Sequence, residues 1–487
     1  MGCWLPSETE DRGEALVSAP TDAVGDAMKD QGRSSRGGHG RIWELYRRAN
    51  PRSEALAARA GRSIAGTITH DIRHMKPFPV YVERAQGTRK WTADGQELID
   101  YWMGHGALFL GHGHPVIVKA VRDQMERGTH YGACHELEVR WAELVQRLIP
   151  SAERVRFTNS GTESTQLALR LARAHVGKAK VVKLEGHFHG WHDYALAGVK
   201  PPYDVPMSSG IPDESLAQVI LCPPNDLAAM ERLLTSRQDV AAVILEPGGG
   251  SSGTIPTDAE YLRGLRDLTR RHQLVLIFDE VITGFRSAPG GVQQLTGVTP
   301  DMTTLAKIIA GGLPGGAVVG QAAILDRVAF GGDPAWNRKE RVAHAGTYNA
   351  NPLSAAAGIA MLSFIADGEA HRRANRAGTA LRQELAGVWR RLGIPGSVYG
   401  DTSIVNYNLE PAVGTPPDPG TRDHRTLQSL SNPDAYHALR CALVLNGLDI
   451  CPLHGWVSAV HSDEDVQRTV QAFEKALLLM QEDGFFS

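Results

Sequence analysis

Two residues near the middle of the chain carry the strongest chemical signal. Lys307 stands in Thr304-Leu305-Ala306-Lys307-Ile308-Ile309-Ala310-Gly311-Gly312, a cation among apolar residues before a Gly-rich stretch. Asp279 ends the apolar run Leu274-Val275-Leu276-Ile277-Phe278. Burial lowers the pKa of a lysine and makes its amine a good imine-forming nucleophile. A carboxylate at a strand end can keep a pyridine nitrogen protonated. Together they point to pyridoxal 5'-phosphate (PLP), with the lysine holding the aldehyde and the aspartate making the ring an electron sink. Each residue alone also has a plain reading: a snorkelling surface lysine, and an aspartate that forms a turn or caps a helix.

Other stretches add parts in order. Thr158-Asn159-Ser160-Gly161-Thr162-Glu163 lies between an expected strand and an expected helix. Free amides at a helix start suit a phosphate, Ser160 and Thr162 add hydroxyls, and Gly161 permits close approach. The same residues would serve as an ordinary helix cap. Gly186-His187-Phe188-His189-Gly190-Trp191-His192 follows the next strand, where an aromatic can stack on a planar cofactor. The three histidines are also a candidate metal cluster, although no cysteine joins them. Asn225, after Cys222-Pro223-Pro224, and Glu246, before Pro247, each stand just past a strand, on the sheet edge that carries Asp279. Gly346-Thr347 sets a hydroxyl beside a glycine and is a further phosphate candidate.

The elements that must hold these residues read as alternating strands and helices. Strands are expected at residues 80–83, 98–101, 155–158, 180–183, 218–221, 242–245, 274–278 and 404–407. Helices are expected at 41–62 with a break at Pro51, and at 115–127, 136–148, 162–175, 354–366, 373–392 and 464–480. Strands alternating with helices imply a parallel sheet covered on both faces, which places ligands at the carboxyl ends of its strands. Four regions follow: a mobile tail at 1–40, an N-terminal segment at 41–110 contributing to a small domain, a large cofactor domain at 111–352, and a C-terminal small domain at 353–487. Residues 411–432, rich in Pro, Thr and Asp, read as an exposed loop.

Bulk properties exclude several classes. The 487 residues exceed one compact domain, and a net charge of −3 with interspersed signs gives no electrostatic footprint for nucleic acid or membrane. Five scattered cysteines without a Cys-x-x-Cys pair read as reduced thiols, which leads to an expected cytoplasmic location. No secretory signal is expected from the N-terminal residues.

The ordered set Ser160-Gly161-Thr162-Glu163, Gly186-x-Phe188-His189-Gly190, Asn225-Asp226, Glu246-Pro247, Asp279-Glu280-Val281, Lys307 and Gly346-Thr347 resembles the class III aminotransferases among the fold-type I PLP enzymes. Glutamate-1-semialdehyde aminomutase and β-amino-acid aminotransferases look similar. The resemblance covers roughly residues 60 to 480. It implies an α/β fold: a large domain with a mostly parallel seven-stranded sheet flanked by helices, and a smaller α+β domain. It implies that Lys307 links to PLP and then moves a proton between substrate carbon and cofactor. Asp279 would pair with the pyridine nitrogen, with Val281 under the ring and Phe188, beside His189, over it. Ser160, Gly161 and Thr162 would hold the phosphate, and Asn225 and Glu246 would lie near the ring hydroxyl. Thr347 would reach the phosphate of the other subunit of a homodimer with shared active sites. Arg73 is the candidate for the substrate carboxylate.

Two positions depart from the aminomutase pattern. Leu453, in Pro452-Leu453-His454-Gly455-Trp456, stands where the family has a substrate-side glutamate, and His105 stands where it has a pocket aromatic. These departures favour ping-pong transamination, from an amine or amino-acid donor to a keto or aldehyde acceptor. An intramolecular aminomutase is the alternative. A non-catalytic PLP-binding homologue and a metal-dependent hydrolase stand further off.

Overall fold

A computed structural model describes residues 40–409, 424–428 and 432–486. The expected tail lies outside these residues up to His39. So does the expected loop at 411–432, except for Asn432 and the helical turn His424–Gln428.

The strands, in chain order, are β1 Val82–Gln86, β2 Arg89–Thr92, β3 Glu97–Asp100, β4 Arg154–Thr158, β5 Lys180–Leu184, β6 Val219–Cys222 and β7 Val240–Leu245. They continue with β8 Val275–Asp279, β9 Met302–Ala306, β10 Gly316–Gly320, β11 Ser397–Tyr399, β12 Ile404–Asn408, β13 Leu448–Asp449 and β14 His454–Trp456. Seven of them form one sheet in the order β4-β10-β9-β8-β7-β5-β6. All neighbours in it run parallel except β10, which is antiparallel to both β4 and β9. Every residue of β7, β8, β9 and β10 is buried, as a sheet covered on both faces requires.

Six strands escaped the sequence reading, the two- and three-residue β11, β13 and β14 among them. β9 and β10 hide because Thr303, Thr304 and the glycines at 316 and 320 break the apolar run that marks a buried strand. Tertiary pairing on both sides decides them. β2 carries Arg89 and Lys90, and it pairs with β3 across the turn at Asp94-Gly95, where residues 80–83 were expected to pair. The first strand shifts to β1, antiparallel to β2.

The helix Gly161–Val176 follows β4 and packs against the sheet. Ser160 caps it by accepting from the Glu163 amide, a cap worth about 1 kcal/mol. Gly177, at φ 73°, ends it in the left-handed conformation that a side chain would resist. One apolar core joins Ile42, Tyr46, Leu98, Ile99 and Tyr101 to Leu381, Trp389, Tyr407 and Phe473, so the two ends of the described chain pack together. The short parallel pairing of β13 with β3 ties the same two segments. Among the described residues, no single helix is long and apolar enough to cross a membrane.

Candidate active site

The carboxyl ends of β4, β7, β8 and β9, with the loop after β5, converge on one cavity of about 300 Å³. Its wall includes Ser160, Gly161, Thr162, Phe188, His189, Glu246, Asp279, Val281 and Lys307. The sheet edge therefore gathers residues up to 147 positions apart (307 minus 160).

Asp279 is the last residue of β8 and is buried. Its Oδ1 accepts from Thr304 Oγ1 at 2.9 Å and from the Val281 amide at 3.1 Å. Its Oδ2 accepts from His189 Nδ1 at 2.7 Å. Thr304 is its register partner on β9, which fixes the carboxylate from the neighbouring strand. Burial pulls the His189 pKa down, and Asp279 only partly opposes this. The imidazole is thus neutral, with Nδ1 as donor, and its buried Nε2 has no partner.

Lys307 follows β9 directly at φ 55°, a conformation that non-glycine residues seldom adopt and that concentrates at functional sites. Burial lowers its pKa to about 8, while Asp279 and Glu246 pull it back upward. About a tenth of this amine is therefore unprotonated at pH 7, far more than for a lysine of ordinary pKa.

Glu246 is buried and engaged by backbone: Oε1 accepts from the amides of Phe188 and Ser251, both at 2.8 Å, and Oε2 from Ser252 at 3.3 Å. Burial, then the charge of Asp279, raises its pKa to about 7 against those three amides. It braces the loop that carries Phe188, whose ring is exposed on the cavity wall.

The N-terminus of helix Gly161–Val176 opens on the same wall. The first amides of a helix have no intrahelical acceptor, and Ser160 takes only that of Glu163. The wall is close-fitting there: a Cβ on Gly161 would lie 2.8 Å from Val281 Cγ1. Bare first-turn amides, an orphaned buried imidazole nitrogen, a carboxylate and a depressed lysine fit a phosphorylated pyridine aldehyde.

Several expected residues lie elsewhere. Asn225 does not line the cavity: its Nδ2 donates to the Pro256 carbonyl at 2.8 Å and its Oδ1 accepts from Asp258, so it braces a loop. Thr347 is exposed and also off the cavity, its carbonyl 2.6 Å from His130 Nε2. Arg73 and His105 line a second cavity of about 390 Å³, with Trp102, Lys90, Asp100, Asp449 and Arg440. The three clustered histidines turn to three different partners. His187 Nδ1 accepts from the Glu246 amide, His189 meets Asp279, and His192 Nε2 lies 3.2 Å from Thr165 Oγ1. The sequence reading missed Asn159 and Leu313-Pro314-Gly315, which also line the first cavity. The Gly-rich stretch after Lys307 was the available signal for the latter.

The model of the class III aminotransferase family matches residues 72–412. A curated relative, glutamate-1-semialdehyde 2,1-aminomutase of Sulfurisphaera tokodaii, is 40% identical over 432 residues, covering 87% of this chain and 99% of the relative. An ω-transaminase from Sphaerobacter thermophilus superposes with a TM-score of 0.80 at 35% identity, covering 88% of this chain and 97% of that one. A glutamate-1-semialdehyde aminomutase from Pseudomonas aeruginosa PAO1 gives a TM-score of 0.80 at 25% identity, covering 91% and 97%. Further curated relatives at 37–38% identity carry the same aminomutase name.

These relatives overturn the expected ping-pong transamination in favour of the aminomutase alternative. The two departures lie apart from the Lys307 cavity. Leu453 sits in a turn at φ 72°, its carbonyl accepts from the Tyr407 amide, and neither cavity wall includes it. His105 lines the second cavity and not the one that holds Lys307. PLP is the cofactor of these enzymes, and solved neighbours hold it or its amine form. The chain is an α/β fold-type I enzyme and belongs to the class III aminotransferase family of PLP-dependent enzymes.

Proposed function

We propose that this chain is a 2,1-aminomutase acting on glutamate 1-semialdehyde or a close analogue. The observation that carries the reading is the 40% identity to such an enzyme across 99% of its length. PLP, when bound, supplies the carbonyl that captures an amine and the ring that accepts the electron pair released at the neighbouring carbon. Lys307 holds the cofactor at rest and afterwards carries protons to and from the two substrate carbons that exchange nitrogen and oxygen. Its depressed pKa suits both directions, because a base near the working pH also serves as an acid. Asp279 keeps the ring nitrogen protonated, oriented by Thr304, Val281 and His189. Val281 and Phe188 sandwich the ring, Glu246 holds the Phe188 loop, and Ser160, Gly161 and Thr162 take the phosphate. In the second cavity, Arg73 takes the substrate carboxylate through its guanidinium fork, with His105 beside it.

Thr347, exposed and off its own cavity, is proposed to reach the cofactor phosphate of a partner subunit in a homodimer. The four described cysteines are free, in keeping with a reducing cytoplasm.

The test is to give the purified holoenzyme glutamate 1-semialdehyde alone. The expected product is the isomeric 1-amino-2-oxo compound, formed without an added amino donor or keto acceptor. An inert semialdehyde together with turnover of a donor and acceptor pair would sink the proposal. Gly161→Ala checks the phosphate cradle. Its methyl meets Val281, and overpacking of about 1–3 kcal/mol corresponds to roughly tenfold weaker PLP binding by fluorescence titration of the apoprotein. An unchanged affinity would remove Gly161 from the cofactor contacts.

A further inference from the structure

A buried ionic cluster that takes no part in the proposed proton transfers lines the second cavity. Lys90 Nζ lies 2.9 Å from Asp100 Oδ1 and 2.5 Å from Asp449 Oδ2. The same two carboxylates grip Trp102 at both ends. Its backbone amide donates to Asp100 Oδ1 at 2.8 Å and its indole Nε1 to Asp449 Oδ1 at 2.8 Å. His112 Nε2 lies 2.6 Å from Asp100 Oδ2, and the Met103 amide donates there at 3.2 Å. The Arg440 guanidinium sits 5.5 Å from the centroid of the Trp102 ring.

The cluster holds a backbone that would not hold itself. Met103, Gly104, His105 and Gly106 have φ of 43°, 59°, 57° and 84°, four successive residues in the left-handed region, two of them not glycine. Such conformations persist only where the surroundings over-determine them. Trp102 anchors the start of this run, and Arg286 Nη2 closes its end by donating to the Gly106 carbonyl at 2.6 Å. The run delivers His105. Its ring meets Trp102 edge-on at 5.2 Å and stacks on His70 at 4.8 Å. No described residue hydrogen-bonds its ring nitrogens. His105 and Trp102 line the second cavity, while Ile282, packed with Trp102 in one apolar cluster, lines the cavity of Lys307. The loop therefore lines the second cavity and shares an apolar cluster with a residue on the wall of the first.

We propose that Lys90, Asp449 and Trp102 form a clamp that holds the His105 imidazole as a specificity-determining contact for the substrate, with Lys90 and Asp449 as its positioning residues. This rests on the reading that the second cavity takes the carboxylate end of the substrate. Loss of the clamp frees the loop to relax, so the imidazole leaves its place while Lys307 and Asp279 keep theirs.

The test uses holoenzyme carrying Asp449→Asn, Trp102→Phe or His105→Ala, and the doubles that pair each of the first two with His105→Ala. Trp102→Phe keeps an aromatic ring but removes the indole donor and some bulk, and it decides the matter should Asp449→Asn fail to fold. Calorimetry reads the binding of glutarate, an unreactive five-carbon dicarboxylate, and steady-state kinetics with the semialdehyde separate KM from kcat. Asp449→Asn and Trp102→Phe are each expected to weaken glutarate and raise KM about tenfold, leave kcat within about threefold, and lose this effect once His105 is alanine, as coupled positions do. Equal losses in both backgrounds, or a fall in kcat with KM and glutarate unchanged, overturn the clamp. If the wild type binds glutarate but leaves the semialdehyde untouched, the aminomutase reading fails instead, and the glutarate cycle still decides the clamp.

Discussion

Lys307→Ala is expected to reduce turnover by roughly 10⁴-fold or more, because in the proposed mechanism one amine supplies both the covalent anchor and the moving proton. PLP should still bind, since the helix start at Gly161–Thr162 and Asp279 do not depend on the lysine. Borohydride reduction followed by mass spectrometry checks the anchor: the wild type gains the mass of the cofactor on the Lys307 peptide and the variant does not. Wild-type rates in the variant would remove Lys307 from the centre of the chemistry. Lys307→Met adds a test that does not use activity. The folded-state pKa of the lysine is about 8, below the ordinary 10.5 of an exposed lysine, so burial of the charge opposes folding. This penalty is full below pH 8 and fades as pH rises towards 10.5. The apo methionine variant should therefore melt above the apo wild type at pH 7, with the gap narrowing as pH rises through that window. A gap that widens with pH would contradict the depressed pKa.

Asp279→Asn is expected to cost about 10³-fold in kcat, the scale of losing one preorganised charge at a reacting group. The local geometry sharpens the expectation. Thr304 and Val281 both donate to Oδ1, so the amide oxygen of asparagine must remain on that side. The amide nitrogen then faces the Nδ1–H of His189, donor against donor. The imidazole can relieve this only by changing tautomer, and the unmade bond costs about 1–3 kcal/mol of stability. Thermal melts of the apo variant measure that cost, and the spectrum of the PLP-loaded variant reports whether the ring nitrogen keeps its proton. Asp279→Glu should restore part of the charge but not the distance, and recover only part of the rate. An Asn variant with near-wild-type kcat would mean that the carboxylate has only a structural role.

The candidate site was largely legible because its chemistry sits at strand ends. A carboxylate after an apolar run, a serine and glycine before a helix, and a lysine before glycines can each be read locally, and the carboxyl edge of a parallel sheet brings them together whatever lies between. Asp279, Glu246, Phe188, Gly161 and Lys307 met on one wall for that reason. Asn225 misled because a polar residue just past a strand can brace a loop as readily as face a cofactor. Only its contacts with Pro256 and Asp258 separate the two roles. Thr347 is exposed and off the Lys307 cavity, and a hydroxyl beside a glycine marks a surface turn as readily as a phosphate contact.

The sequence by itself determined the α/β pattern, the cofactor chemistry and the order of the motifs, since periodicity and side-chain type are local properties. The tertiary structure alone decided the antiparallel insertion of β10, the orientation of Asp279 by Thr304, and the placing of His105 on a second cavity. It also decided that Leu453 faces neither cavity. Each of these depends on pairing or ion contacts between residues tens to hundreds of positions apart. Lys90 meets Asp449 across 359 residues, a separation over which no local pattern in the chain carries information.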